Sequence, residues 1–497
     1  RRTMKDAESK AGPVWWSATE IADAVRNGRI DAVEVTEAFL DRIARLNGAV
    51  NAFTDVTAAR ARTQAARVDA VRERGGDPGP LAGVPFAAKN LYDIAGLPTR
   101  AGSRINRDRA PATADALLVA RMKAAGAVLL GGLNMGEFAY DFTGENAHDG
   151  ACRNPHDLTR MSGGSSSGCG AATAAGLAPI SLGSDTNGSI RVPAALCGIF
   201  SLKPTYGRLP RTGTFSFVDS LDHLGPFART PRDLARAYDA MQGHDAGDHG
   251  CAARPAAPSE SALDRPPAAL RVGVPGGWFA RLSGAGATAA AARVADTLAE
   301  DTRGSIVAVD LDTAEAGRAA AYIITNAESA AFHLDRLRAR AGDFDPDTRD
   351  RFLAGALLPA AWATQAHRVR AWWRDRVREV FAGVDVLAVP ATPVAAPPLG
   401  ARELDLGGAR HPLRPTLGML SQPFSCIGLP VVTVPVFAPD VDLPHGVQIV
   451  APPWREALAL QAAEVLARSG VCHARPPAGI AGVSGLPPDV IAGDRRP

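Results

Sequence analysis

The sequence predicts an α/β protein in which helices cover a largely buried sheet. Two observations carry this. Apolar segments of helical spacing alternate along the chain with short apolar runs bounded by turn residues. The hydrophobic fraction of 46% in 497 residues is also enough for a sizeable core.

The elements follow in order. Ser17 to Asn47 carries apolar residues at helical spacing, opened by a capping box of Ser17 and Glu20. Val56 to Arg74, rich in Ala and Arg, reads as a second helix, and Pro78 to Gly83 as a turn. VPFAAKNLYDIAG then reads as a strand entering a loop, Ala114 to Ala125 as a helix, and AVLLGGLN (127–134) as the next strand. GIFSLKPTYGRLPRTG is another strand and turn. Leu270 to Val274 restarts a strand and Thr288 to Glu300 a helix. Asp347 to Phe381 is long, amphipathic and basic. VDVLAVPATP and GLPVVTVPVF read as buried strands, and Leu458 to Arg468 as a final helix. Residues 243–268, rich in Gly, Ala, Pro and Ser, are a candidate surface insertion or linker within a catalytic domain of residues 17–475. Residues 1–16 are then an N-terminal extension and 476–497 a loose Pro/Gly-rich tail.

A net charge of +2, from 54 basic and 52 acidic residues, argues against a dominant nucleic-acid surface or a polybasic membrane patch. Six dispersed cysteines with no CxxC or Cys/His ligand spacing argue against a disulfide framework and a zinc site. No 18-residue apolar run occurs, and RRTMKDAESKAG lacks a signal-peptide apolar core, so the expected location is the cytoplasm.

The most informative stretch is MSGGSSSGCGAATAAGLAPISLGSDTNGSIR, residues 161–191. A solvated Gly/Ser linker stays polar, whereas this block encloses AATAAGLAPISL, with the composition of a buried helix followed by a strand. Glycine there permits unusual backbone angles and close approach, and serine brings hydroxyls into a poorly hydrated place. A single Ser in a Gly-rich loop is ordinarily just small. Here Ser189 ends SDTNGS, where successive backbone N–H groups can converge on one spot and form an oxyanion hole. Ser165 lies upstream in GGSSSG, across the helix and strand, and could return to the same face. Lys89 stands in the apolar context PFAAKNL, where burial disfavours its charged form and makes it a candidate base.

These residues resemble the amidase signature family, the Ser-cisSer-Lys hydrolases. The matching segments are GVPFAAKNLYDIAGLPT, GAVLLGGLNMGEFA, RNPHD, GGSSSG and GSDTNGSIRVPAALCGIFSLKPTYGRL, and the likeness spans roughly Ser17 to Arg475. The resemblance implies a large mixed central β-sheet with α-helices on both faces. It implies Ser189 as nucleophile, Ser165 as a bridging serine with a cis peptide, and Lys89 as general base. The backbone N–H groups of Thr186, Asn187, Gly188 and Ser189 would form the oxyanion hole. Acyl transfer of this kind needs no metal or organic cofactor. Two departures stand out: Asn187 precedes Gly188 where many members have Gly-Gly, and Ser167 replaces a glycine of GGSSGG.

Within the family the chain is most similar to the 1-carboxybiuret hydrolase branch, in GSDTNGSIRVPAALCGIFSLKPTYGRL, SLDHLGPFART, DLARAYDAMQG, DRFLAGALLPAAW and RPTLGMLSQPFSCIGLP. That implies a small, anionic, urea-like amide as substrate and ammonia as product. It also implies a small helical partner subunit in a homodimer or heterotetramer, with no nucleic acid and no membrane. A substrate carboxylate wants a guanidinium, and Arg414, with Arg410 nearby, precedes TLGMLSQP. Gln422 and Tyr140 are further candidates to line the pocket. The alternatives are a broad aryl or acyl amidase, a urethane hydrolase and a glutamyl-tRNA amidotransferase A-type subunit.

G-S-S-S-G also satisfies the nucleophile-elbow pattern, with Ser166 at its centre. That pattern needs a hydrophobic strand directly before it, and NPHDLTRM reads as none. GCGAAT is read as helix packing rather than a dinucleotide fingerprint. Asp185 and Arg191, flanking the nucleophile, are read as holding the loop in shape. His148 and His156 are read as structural or surface residues.

Overall fold

The computed structural model describes residues 12–439 and 441–480, so most of the proposed N-terminal extension and of the tail lies outside the described residues. Eleven strands form one sheet. In chain order the strands are β1 (Phe53–Val56), β2 (Pro85–Lys89), β3 (Val128–Leu133), β4 (Arg153–Asn154), β5 (Asp157–Met161), β6 (Ile180–Asp185), β7 (Phe200–Lys203), β8 (His223–Ala228), β9 (Arg271–Pro275), β10 (Ser305–Val309), β11 (Val386–Pro390), β12 (Glu403–Leu406), β13 (Ala409–Pro412), β14 (Val431–Val436) and β15 (His445–Val450). The large sheet runs β1-β3-β2-β6-β8-β7-β14-β15-β11-β9-β10, while β4-β5 and β12-β13 are separate hairpins.

The sheet is mixed. β2 runs parallel to both β3 and β6, and β9 runs parallel to both β10 and β11. The middle strands pair antiparallel. Strands β2, β3, β6, β8, β11 and β14 are buried at every position, which is why they read as continuous apolar runs rather than as an alternation. Helices cover both faces. The helix Ala32–Val50 buries Val35, Phe39, Ile43, Leu46 and Val50, one stripe at three- and four-residue spacing. Phe39 is fully buried, and its truncation to Ala costs about 3–5 kcal/mol in sites of this kind.

The structure corrects three of the sequence expectations. The segment Ser17–Asn47 is two helices, Ala18–Arg26 and Ala32–Val50, because Gly28 takes φ +66° and ends the first. Its capping box is present, with Ser17 Oγ accepting from the Glu20 N–H and the Ser17 N–H donating to Glu20 Oε2. The segment Asp347–Phe381 is likewise broken, into Pro346–Ala356 and Ala360–Gly383, with Pro359 between them. NPHDLTRM does contain a strand: it forms the β4–β5 hairpin. Residues 243–268 hold one 3-10 turn, Glu260–Asp264, and are tied down by Asp248, which accepts from Arg211 Nη2 at 2.8 Å.

Candidate active site

Two parallel neighbours build the site. Lys89 is the last residue of β2, and the register Ala88↔Leu182 carries β6 alongside it to Ser184 and Asp185. Ligand sites of open parallel sheets lie beyond such strand ends. Beyond β6 the chain turns through 186–189 into the short helix Arg191–Cys197. Ahead of β6, the helix Ser167–Ala174 is buried at every residue, and Ser165 and Ser166 lead into it. Its glycines permit the close packing: a Cβ on Gly168 would lie 2.4 Å from the Ala52 carbonyl oxygen.

Lys89 and Ser165 meet directly. Both are fully buried, and Lys89 Nζ lies 2.7 Å from Ser165 Oγ. The Gly164–Ser165 peptide is cis, the trait the family resemblance implies. Lys89 Nζ also lies 3.0 Å from Ser166 Oγ and 2.9 Å from Ser184 Oγ. Burial pushes the Lys89 amine down to about 7, against weaker upward pulls from Cys169 and the carboxylates of Asp185, Asp222 and Asp141. Ser189 is joined to this group through the main chain: its carbonyl accepts from the Ser166 N–H at 3.3 Å. Among the described residues no hydrogen bond joins Ser165 Oγ to Ser189 Oγ, and such bonds commonly tighten only when substrate is bound.

Ser189, 2% exposed, borders a cavity of about 470 Å³. Thr186 and Asn187 border it too. Among the described residues, the peptide N–H groups of Thr186, Asn187, Gly188 and Ser189 have no protein acceptor. The positive φ of this loop falls on Gly188, at +143°, so the Asn187 departure asks no left-handed backbone of a side-chain-bearing residue. Ser167 likewise starts a helix with ordinary backbone.

The loop is held from behind. Arg191 clasps Asp185 with Nε on Oδ2 and Nη2 on Oδ1, both at 3.0 Å, and both side chains are fully buried. Burial alone would raise the Asp185 carboxyl, but the Arg191 guanidinium holds it well below the usual range. Arg191 Nη1 reaches on to Gln448 Oε1 at 2.7 Å and to the Ser421 carbonyl at 2.8 Å. Asp222 accepts from Thr186 Oγ1 at 2.6 Å. Asp185 and Arg191 therefore shape the loop, as read from the sequence. His148 bonds Glu137 and His156 bonds the Cys197 carbonyl.

The three candidate pocket residues divide. Tyr140, Arg414 and Gln422 all line the cavity. Arg414 pairs through its Nη groups with Asp141 at 2.7 Å, Asp347 at 2.8 Å and Glu145 at 3.4 Å, while its buried Nε has no partner among the described residues. Most of its guanidinium therefore braces the cavity wall against three carboxylates. Arg410 stands exposed on the β12–β13 hairpin, paired with Glu403. Tyr140 donates to Asn326 Oδ1 at 2.7 Å, and Gln422 Oε1 accepts from Arg318 Nε at 3.1 Å.

Sequence reasoning missed Arg351, Thr325 and the contacts of Ser166 and Ser184. The Arg351 guanidinium lies 3.8 Å from the Tyr140 ring centroid, donates to the carbonyls of Asp347 and Tyr140, and has no carboxylate partner among the described residues. Arg351 and Thr325 come from helices far along the chain, where nothing local marks them. Ser166 bonds Lys89 and Ser184 rather than a histidine, so it is no elbow nucleophile.

Comparison with known proteins shows the family. The Amidase family model matches residues 34–460. AtzE, a 1-carboxybiuret hydrolase subunit of Pseudomonas sp. (strain ADP), is 52% identical over 91% of this chain and 98% of its own length. The A-type subunit of the glutamyl-tRNA(Gln) amidotransferase of Roseiflexus sp. (strain RS-1) is 37% identical over 92% of this chain and 97% of its own. A solved vestigial protein complex, which reveals the evolutionary origins of an s-triazine catabolic enzyme, contains a chain 51% identical with a TM-score of 0.90, covering 93% of this chain and all of that one. The family match over residues 34–460 and the likeness in fold make this an amidase signature enzyme. The chain belongs to that family and is a hydrolase of C–N amide bonds closely related to 1-carboxybiuret hydrolase AtzE. No described helix is long and apolar enough to cross a membrane.

Proposed function

We propose that this protein cleaves a small, anionic, urea-like amide of the 1-carboxybiuret type, releasing ammonia through an acyl-enzyme on Ser189. The observation that carries the reading is the sealed contact of Lys89 with Ser165, at 2.7 Å, beside a loop whose peptide donors are free. The neighbours of Lys89 assign its protons. Ser166 gives its own proton to the Ser184 carbonyl at 3.0 Å, so it accepts from Lys89. Ser184 Oγ takes the second N–H of a neutral amine. The lone pair is then left for the Ser165 hydroxyl, the direction a base requires.

In the reaction Lys89 draws the proton of Ser165 as Ser165 draws that of Ser189, and Ser189 Oγ attacks the amide carbon. The amides of 186–189 meet the oxyanion, each such donor contributing on the order of 10²–10³ in rate. The relay reversed protonates the departing ammonia, and water then cleaves the acyl-enzyme by the same path. Arg351, which has no carboxylate partner among the described residues, is the cation we assign to a substrate carboxylate ahead of Arg414, whose Nη groups are paired with three carboxylates. No step uses a metal or organic cofactor. A small helical partner subunit, in a heterotetramer or with the chain as a homodimer, is proposed from the relationship to AtzE and from the complex in which the 51%-identical chain was solved.

The test is ammonia release by purified protein from 1-carboxybiuret, an aryl amide, a carbamate and glutamine. Ammonia from 1-carboxybiuret and not from glutamine supports the reading. Turnover of the aryl amide or carbamate alone replaces it with a broad amidase or urethane hydrolase. Ammonia from glutamine alone replaces it with an amidotransferase A-type subunit, the activity in the name of the 37%-identical relative.

A further inference from the structure

We infer that the side chain of Asn187, held by Thr325, reads an N–H on the acyl side of the substrate and so selects ureido compounds over their carbon isosteres. The inference deepens the substrate class proposed above and rests on it.

Asn187 stands in the oxyanion loop two residues before Ser189, and it is 6% exposed. Its Nδ2 donates to Thr325 Oγ1 at 2.7 Å. Thr325 belongs to the long helix Ala314–Arg340, which packs across the site from outside the sheet. The Thr325 hydroxyl can accept from Nδ2 or donate to Oδ1, and the structure shows the first arrangement. Asn187 Oδ1 is left buried and with no donor, although the residue lines the cavity. A buried amide oxygen without a donor costs about 1–3 kcal/mol, so its placement beside the nucleophile points to a ligand donor.

Across the same cavity Gln422 is oriented the opposite way. Arg318 Nε occupies its Oε1 at 3.1 Å, so its Nε2 group is the end available to a ligand. The cavity therefore offers an acceptor at Asn187, whose amide bonds Thr325 of the cavity wall, and a donor at Gln422, held by Arg318 from behind. A biuret-like acyl chain alternates N–H and C=O and matches both. A chain with CH₂ in place of the N–H leaves Asn187 Oδ1 unpaired, and sites built around a substrate N–H reject such analogues strongly.

Biuret and malonamide differ only in N–H against CH₂ between two carboxamides, which makes them the probes, with 1-carboxybiuret as reference substrate. The wild-type protein is expected to prefer biuret over malonamide in kcat/KM by roughly 10-fold or more. Asn187→Leu removes the acceptor, and Thr325→Val frees the amide to turn; each should collapse the ratio to within about threefold. Thr325→Val decides the matter if Asn187→Leu disturbs the loop. A biuret preference that survives Thr325→Val and Asn187→Leu overturns the role of Asn187. So does a wild-type protein that hydrolyses 1-carboxybiuret yet treats the two probes alike. Ammonia from none of the three compounds overturns the substrate class itself, a distinct result.

Discussion

Ser421 Oγ lies 2.7 Å from the carbonyl of Asn187, sharing its one proton between that carbonyl and the Gly418 carbonyl at the same distance, and so holds the peptide that follows Asn187. In a planar trans peptide the C=O and N–H point oppositely, so anchoring the Asn187 carbonyl against Ser421 aims the Gly188 N–H the other way. Only glycine permits the approach, since a Cβ on residue 188 would lie 2.0 Å from Ser421 Oγ. Ser421→Ala should lower kcat by roughly 10-fold, with KM changed much less, as expected when one oxyanion donor is misdirected. Steady-state kinetics on the preferred amide checks this, and an unchanged kcat refutes the anchoring role.

The depressed basicity of Lys89 sets a pH limb. Burial favours the neutral amine and brings the group to about 7; below that value the ammonium has no lone pair for Ser165. The logarithm of kcat/KM should therefore rise with pH at unit slope and level off above about 7. Lys89→Met should abolish this limb along with nearly all turnover. An unchanged rate near pH 7 in Lys89→Met excludes the amine as base.

The Asp185–Arg191 pair predicts a stability effect. Removing one member of a fully buried pair leaves an uncompensated charge and typically costs about 3–5 kcal/mol. Asp185→Ala should lower the urea midpoint accordingly. Replacing both, as Asp185→Leu with Arg191→Met, should recover part of the loss, because no buried charge then remains. Equal destabilisation by the single and double variants argues against the pair as an electrostatic unit.

The two cavity arginines should behave differently. Arg351→Gln should raise KM for an anionic substrate by roughly 10-fold or more while a neutral amide is affected little, since its guanidinium is free of carboxylates. Arg414→Gln strands Asp141, Asp347 and Glu145, so it should lower the thermal midpoint and slow both substrates alike. Indifference of Arg351→Gln to substrate charge removes it as the anion contact.

What could be read from the chain follows locality. Lys89, Ser165 and Ser189 each sit in a distinctive short context, so each could be singled out as a candidate residue by residue. Strands β2, β3, β6, β11 and β14 were visible because burial at every position leaves an apolar run. The contact of Lys89 with Ser184 was not, since it depends on the parallel register that sets Ala88 opposite Leu182. Nor was the pairing of Arg414 with three carboxylates, which lie on two other segments. The breaks at Gly28 and Pro359 did carry local signals, a glycine and a proline inside amphipathic runs, but apolar periodicity continues across both. The β4–β5 hairpin is partly exposed and mostly polar, so it lacked the apolar pattern that marked the central strands.

The lysine at the end of β2 has no surface of its own; the hydroxyls of Ser165, Ser166 and Ser184 close it off. Reagents that acylate or alkylate surface amines will pass it by in the folded protein, and a covalent inhibitor must enter by the cavity and engage Ser189 first. Protons exchanged with the medium must take the same route, handed through a serine, so an occupied cavity also insulates the base from the buffer.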